Sequence, residues 1–183
     1  MSETGAPLLI IDVEATCFEA TFLLEQMEII EVGAAWVNES GKILAERQFF
    51  VKPIATPQLS PFCKRLTGVS QENVDEALPW ALAIKRLEEF ARVYGTVNSR
   101  WGSWGEYDRK QIALDCSRHA VGNPLRLLAH VNLKARFAKE RKIKQVGMIG
   151  ALRIIGYEHI GDHHRALPDV RNIAKILPFC GRV

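Results

Sequence analysis

Leu8-Leu9-Ile10-Ile11-Asp12-Val13-Glu14-Ala15-Thr16-Cys17 is the stretch on which the reading of this chain turns. Four apolar residues in a row predict a short strand buried on both faces. Residues two apart on a strand share a face, so Asp12 and Glu14 set two carboxylates side by side where the strand ends. Like charges held that close repel unless a hard cation sits between them. A strand end open to water would suit them as well, and the tripeptide alone leaves both readings open.

Outward from this strand, residues 29–37 and 42–51 predict two more, joined by a turn at Asn38-Glu39-Ser40-Gly41. The three make a meander with the opening strand inside the sheet. Residues 53–68 predict a loop with a short helix around 60–66, and Ser70-Gln71-Glu72-Asn73 starts another. Residues 79–94 have helical periodicity, with Ala81, Leu82, Ala83, Leu87 and Phe90 as the apolar face. Residues 96–99 predict a fourth strand, 101–105 a loop, 106–117 a helix and 126–131 a fifth strand. Helices follow at 132–141, 148–155 and 168–177, the last opened by Pro168 at its first position. The fold class is α/β, with a five-stranded mixed sheet flanked by helices.

The 183 residues predict a single domain, 1–183, with its core at about 8–177. A hydrophobic fraction of 48% and a charged fraction of 25% argue against a disordered, collagen-like or disulfide-built chain. Net charge is +3, which permits a polyanionic partner without requiring one. Cys17, Cys63, Cys116 and Cys180 form no Cys-x-x-Cys pair, which argues against a zinc knuckle or dithiol motif. Residues 1–7 lack the pattern of a secretory leader, and residues 8–11 are too few to span a bilayer. The expected setting is the cytoplasm, with free thiols and no membrane partner.

Two further constellations carry candidate chemistry. In Trp101-Gly102-Ser103-Trp104-Gly105-Glu106-Tyr107-Asp108, Asp108 falls in the first turn of a helix, where the helix dipole favours a negative charge. Trp104 and Tyr107 have faces that stack nucleobases or pack a core. In His163-His164-Arg165-Ala166-Leu167-Pro168-Asp169, His164 lies in the loop before the last helix. Its unperturbed pKa of about 6.5 suits it to take a proton from water. A surface histidine pair beside a helix acid is the plainer alternative. The basic run over residues 134–144 is either a guide for a phosphate backbone or a solvated helix face. Gly-x-Ser-x-Gly and the phosphate-loop signature are absent, which leaves an unrelated α/β hydrolase or phosphotransferase little support.

In combination and in this order, the three constellations resemble the three motifs of the DEDDh 3′–5′ exonucleases. The opening Asp12-Val13-Glu14-Ala15-Thr16-Cys17 is similar to that of the Eri-type exoribonuclease-like subgroup, as are Met27-Glu28-Ile29-Ile30-Glu31 and Leu66-Thr67-Gly68. The resemblance implies an RNase H-like fold and a two-metal hydrolysis with two Mg²⁺ or Mn²⁺ ions. It implies Asp12, Glu14, Asp108 and Asp169 as metal carboxylates, with Asp12 bridging both ions. Glu14 and His164 are the implied catalytic residues, His164 as general base rather than His163. Ala15, Thr16, Trp104, Tyr107 and Arg165 are the implied substrate contacts. The implied partner is a nucleic acid with a single-stranded end and a free 3′ hydroxyl, RNA favoured, acted on by a monomer or homodimer. The product would be a nucleoside 5′-monophosphate. Departures fall at Val13, where Phe is common, and at Glu106 and Pro168, where Asp is common. All four ligands and the base are nevertheless in place, so the departures bear on the shape of the nucleotide pocket. A non-catalytic nucleic-acid-binding module that kept this fold is the alternative, and intact carboxylates argue against it.

Overall fold

A computed structural model describes residues 6–20, 22–96 and 98–182. Six strands form one sheet: β1 (Leu8–Ala15), β2 (Ile29–Val37), β3 (Ile43–Lys52), β4 (Leu78–Pro79), β5 (Arg100–Ser103) and β6 (Ala129–Asn132), in the order β4-β3-β2-β1-β5-β6. The expected meander is present, with β1 antiparallel to β2 and β2 antiparallel to β3. On its other edge β1 runs parallel to β5, which runs parallel to β6. The turn between β2 and β3 closes on Asn38, whose side-chain oxygen accepts the N–H groups of Ser40 and Lys42. Gly41 there holds φ +81°, a conformation that costs glycine little.

The helices are α1 (Pro61–Thr67), α2 (Gln71–Asp75), α3 (Trp80–Ala91), α4 (Tyr107–Arg118), α5 (Leu133–Arg141), α6 (Met148–Ile154) and α7 (Ala166–Ile176). Ser60, Ser70 and Asn132 cap the starts of α1, α2 and α5 with side-chain oxygens. Alternation along β1 feeds two cores. Leu9, Ile11 and Val13 pack with Ile84, Leu87, Phe90, Ile112 and Cys116 of α3 and α4. Leu8 and Ile10 pack with Phe137, Leu152, Val170 and Ile173 of α5, α6 and α7. Asp12 and Glu14 belong to this second face. No described helix is long and apolar enough to cross a membrane.

Several expectations shift. The fourth strand lies at Arg100–Ser103, not at 96–99, and Val97 falls outside the described residues. Thr96 and Ser99 instead close a turn, with the Ser99 N–H donating to the Thr96 carbonyl at 3.0 Å. Trp101, Gly102 and Ser103, expected in a loop, are strand; a Cβ on Gly102 would meet the Leu133 side chain at 3.2 Å, so the glycine admits α5. The sixth strand, β4, is two residues long, too short to leave a pattern. On α3, Leu82 faces solvent while Trp80 and Ile84 are buried. Helix α7 begins at Ala166, which moves Pro168 from the first position to the third.

Candidate active site

The carboxyl end of β1 is where β5 has already stopped, since their pairing covers only Leu9 with Trp101 and Ile10 with Gly102. The Val13 N–H, left without a strand partner, donates to Asp108 Oδ1 at 3.0 Å. The first turn of α4 thus docks on β1 and brings its carboxylate beside Asp12 and Glu14. Across β2, Gly33 sits opposite Asp12. A Cβ there would lie 2.4 Å from the Ala166 carbonyl carbon, so this glycine lets α7 press against the sheet. That approach carries Asp169 to the same strand end. In this way the structure brings all four predicted carboxylates together.

Their electrostatics follow. Burial, reinforced by Asp108, Glu14, Asp169 and Glu31, holds the Asp12 carboxyl well above the usual range. Burial and then Asp169 do the same to Glu14. Burial pushes Asp108 up to about 6 against the pull of the Val13 N–H. Each shift marks a carboxylate that would be stabilised by a positive neighbour. Glu31, opposite Glu14 in the ladder, does have one: Arg165 meets it with Nε at 3.1 Å and Nη2 at 3.1 Å. Glu31 also accepts the Ala166 N–H at 3.2 Å, anchoring the start of α7. Among the described residues none of the remaining four has a Lys or Arg ion-pair partner, and their hard oxygen donors make a set that fits Mg²⁺ or Mn²⁺.

His164 takes φ +64°, rare for a residue with a Cβ. Its N–H donates to Asp169 Oδ2 at 3.2 Å, and a ring nitrogen lies within 4.8 Å of donor oxygens on Glu14 and Asp169. Burial and then His163 lower its pKa, which favours the neutral imidazole that can accept a proton. His163 stacks on the His164 ring, its Nδ1 lying 3.3 Å from Asp169 Oδ2.

Beside this cluster opens a pocket of about 660 Å³, whose lining includes Ala15, Phe18, Phe22, Phe62, Leu66 and Tyr107, together with Glu14 and His164. Phe22 stands 74% exposed, its ring 6.3 Å from that of Tyr107. Of the predicted substrate contacts, Ala15 and Tyr107 line this pocket. Thr16 is buried, and its hydroxyl oxygen accepts the Glu28 N–H at 3.0 Å. Trp104 packs on Phe137, with its indole N–H 3.3 Å from the Val146 carbonyl. Arg165 is engaged with Glu31 and lies over the Phe50 ring. Sequence reasoning did not single out Phe18, Phe22 and Phe62, which no linear pattern joins. Glu31 lay within a stretch noted for resemblance alone. Glu106, the departure in the second motif, ties α4 to β6 through the Asn132 amide at 3.0 Å.

Comparison with known proteins agrees with this geometry. The exonuclease family model (RNase_T) matches residues 9–177. ERI1 exoribonuclease 2 of Homo sapiens is 30% identical over 91% of this chain, which spans 27% of that protein's length. The 3′-5′ exonuclease Snipper of Drosophila melanogaster is 28% identical over 93% of this chain and 67% of its own. Among solved structures, the nuclease domain of 3′hExo, a DEDDh family member bound to rAMP, superposes with a TM-score of 0.88 at 27% identity, covering 96% of this chain and 90% of that one. A complex described as 3′-end specific recognition of histone mRNA stem-loop by 3′-exonuclease gives a TM-score of 0.88 at 25% identity, over 96% of this chain and 81% of that one. The RNase H-like fold, the strand-end carboxylates and the matched motifs agree: this chain belongs to the exonuclease family, in its DEDDh branch with ERI1-like relatives.

Proposed function

We propose that this chain, as one exonuclease domain spanning 1–183, is a metal-dependent 3′–5′ exonuclease. It removes nucleoside 5′-monophosphates from the free 3′ hydroxyl end of a single-stranded nucleic acid, RNA in preference to DNA. The observation that carries this reading is the convergence of Asp12, Glu14, Asp108 and Asp169 beside His164, with Glu14 and His164 also lining an open, largely apolar pocket. The relatives named for RNA ends and the one solved with rAMP support the substrate class and the product. We place the activity in the cytoplasm, in a monomer or homodimer.

Asp12, Glu14, Asp108 and Asp169 would hold two divalent ions. When bound, such a pair activates a water and stabilises the oxygen that leaves. The pocket takes the last base against Phe22 and Tyr107, where aromatic faces stack a base of any identity. Ala15, without a bulky side chain, lets the terminal sugar approach β1. His164 accepts the proton of the attacking water as the oxygen closes on phosphorus. Glu14, within reach of the same ring, orients that water. The bond from phosphorus to the O3′ of the preceding nucleotide breaks, O3′ takes a proton from solvent, and His164 returns its proton to bulk water.

The test is a time course on 5′-labelled RNA and DNA, single- and double-stranded, with Mg²⁺ or Mn²⁺. The expected result is progressive shortening of the single-stranded RNA from its 3′ end, blocked by EDTA and by a 3′ phosphate. RNA that is bound but never shortened would overturn the reading in favour of a non-catalytic binding module.

A further inference from the structure

The loop between α6 and α7 carries two imidazoles that close on Asp169, and one of them, His163, stacks on the His164 ring with centroids 3.9 Å apart. His159 Nε2 lies 3.2 Å and His163 Nδ1 3.4 Å from the same oxygen, Asp169 Oδ1. One donor atom from each of the three residues falls within 4.8 Å of the other two. Two donors each about 2.0–2.1 Å from a zinc ion, at a tetrahedral angle, stand about 3.3–3.4 Å apart. The imidazole–carboxylate separations therefore match those of ligands around one tetrahedral ion.

The loop is held in this shape by groups other than the histidines. Asn172 Oδ1 accepts the Ile160 N–H at 3.1 Å, while its Nδ2 donates to the Ile160 and Pro168 carbonyls at 2.8 and 2.9 Å. Gly161, at φ +81°, makes the turn between the two histidines. The His159 side chain is 16% exposed and that of His163 is 37%, so the site is half-buried and open to solvent on the His163 side. Two imidazoles and a carboxylate suit a borderline metal such as Zn²⁺, whereas the all-oxygen cluster beside them suits Mg²⁺ or Mn²⁺.

We propose that His159, His163 and Asp169 form a zinc-class metal site whose occupation inhibits the enzyme by withdrawing Asp169 from the catalytic carboxylates. The binding half of this inference stands on the loop geometry alone; the inhibitory half rests on the function proposed above. The fourth position is left to water.

The binding half is read with Co²⁺ as a spectroscopic stand-in, titrated into the EDTA-freed, dialysed full chain. Four-coordinate Co²⁺ with imidazole ligands gives an intense visible band, and six-coordinate Co²⁺ among oxygens a weak one. The expected result is an intense band that stoichiometric Zn²⁺ abolishes and that is missing in His159→Gln and in His159→Phe. A weak band throughout, or an intense band retained by both variants, overturns the site. The inhibitory half is read by titrating Zn²⁺ into the RNA assay at fixed excess Mg²⁺, each protein measured against its own zinc-free rate. Loss of a group that merely supports a metal ligand costs about 10–100-fold in affinity, so loss of a ligand should raise the half-inhibiting Zn²⁺ concentration at least about tenfold. Equal half-inhibition in wild type and His159→Gln overturns this half. An intense cobalt band in a chain that degrades no RNA supports the site and refutes the exonuclease reading instead.

Discussion

Glu14→Gln removes one charge from the strand-end cluster, and without cations it should stabilise the fold. Donor oxygens of Glu14 and Asp169 lie within 4.8 Å of each other. Two unit charges at that distance repel by about 3 kcal/mol at an effective dielectric of about 20. Partial protonation of the cluster reduces this, leaving a relief of roughly 1–3 kcal/mol. At about 2–4 °C per kcal/mol for a domain of this size, the melting temperature should rise by several degrees. The pH dependence follows from the raised values of Asp12, Glu14 and Asp108. These groups bind protons more tightly folded than unfolded, so the stability they contribute is present at low pH and lost as pH rises through their folded values. The gain from Glu14→Gln should therefore be largest near about pH 8 and shrink near about pH 5, where protons already neutralise the cluster. Adding Mg²⁺ or Mn²⁺ should reverse the order, since wild type gains from binding cations and the variant gains less. Thermal unfolding with EDTA or with excess cation, at both pH values, measures all of this. A variant that melts below wild type in EDTA at the higher pH would refute the electrostatic argument.

Other consequences can be checked in parallel. Gly33→Ala should cost about 1–3 kcal/mol in chemical denaturation. It should also cut turnover by about a hundredfold, the cost of a 1 Å misplacement of a catalytic group, because the added Cβ pushes the backbone at Ala166 and with it Asp169; full activity would mean that α7 does not need this close approach. Arg165→Ala leaves Glu31 buried without its partner and should destabilise by about 3–5 kcal/mol, with most of the loss recovered in the Arg165→Ala/Glu31→Gln double variant; a loss confined to KM for RNA would mark Arg165 as a phosphate contact instead. His164→Ala should lower the rate by about 10²–10⁴-fold and remove a rising limb of the pH–rate profile that lies below the ordinary histidine value, because burial lowers that pKa. If His163→Ala causes this loss and His164→Ala does not, the base is misassigned.

The parts of the fold carried by runs and periodicity were legible. Leu8–Ile11, the meander and the helices around Ile112 and Ile173 follow from alternation and helical spacing that burial enforces. What failed to show was decided by contacts between distant segments. Gly102 reads as loop because its role is to admit Leu133, and Leu82 reads as core because periodicity cannot tell which of two adjacent helix faces meets the sheet. The carboxylates and His164 stood out because three constellations in that order resemble the exonuclease motifs, although each alone left a plainer reading open. Phe18, Phe22 and Phe62 did not, since a pocket wall assembled from separate loops leaves no spacing to read. Thr16, Trp104 and Arg165 engage in a backbone clasp, a core contact and a buried ion pair, contacts with distant segments that the linear order of a motif does not announce.

The claim on which the account depends is that the carboxylates of Asp12, Glu14, Asp108 and Asp169 form one cradle for a pair of cations. A crystal grown with Mn²⁺ and a nucleoside 5′-monophosphate, with data collected at the manganese edge, tests it directly. The account predicts two anomalous peaks about 3.5–4 Å apart, Asp12 between them, the nucleotide phosphate on both and His164 facing the phosphate. Manganese scattered over the surface, with those four carboxylates bare beside the bound nucleotide, would contradict it.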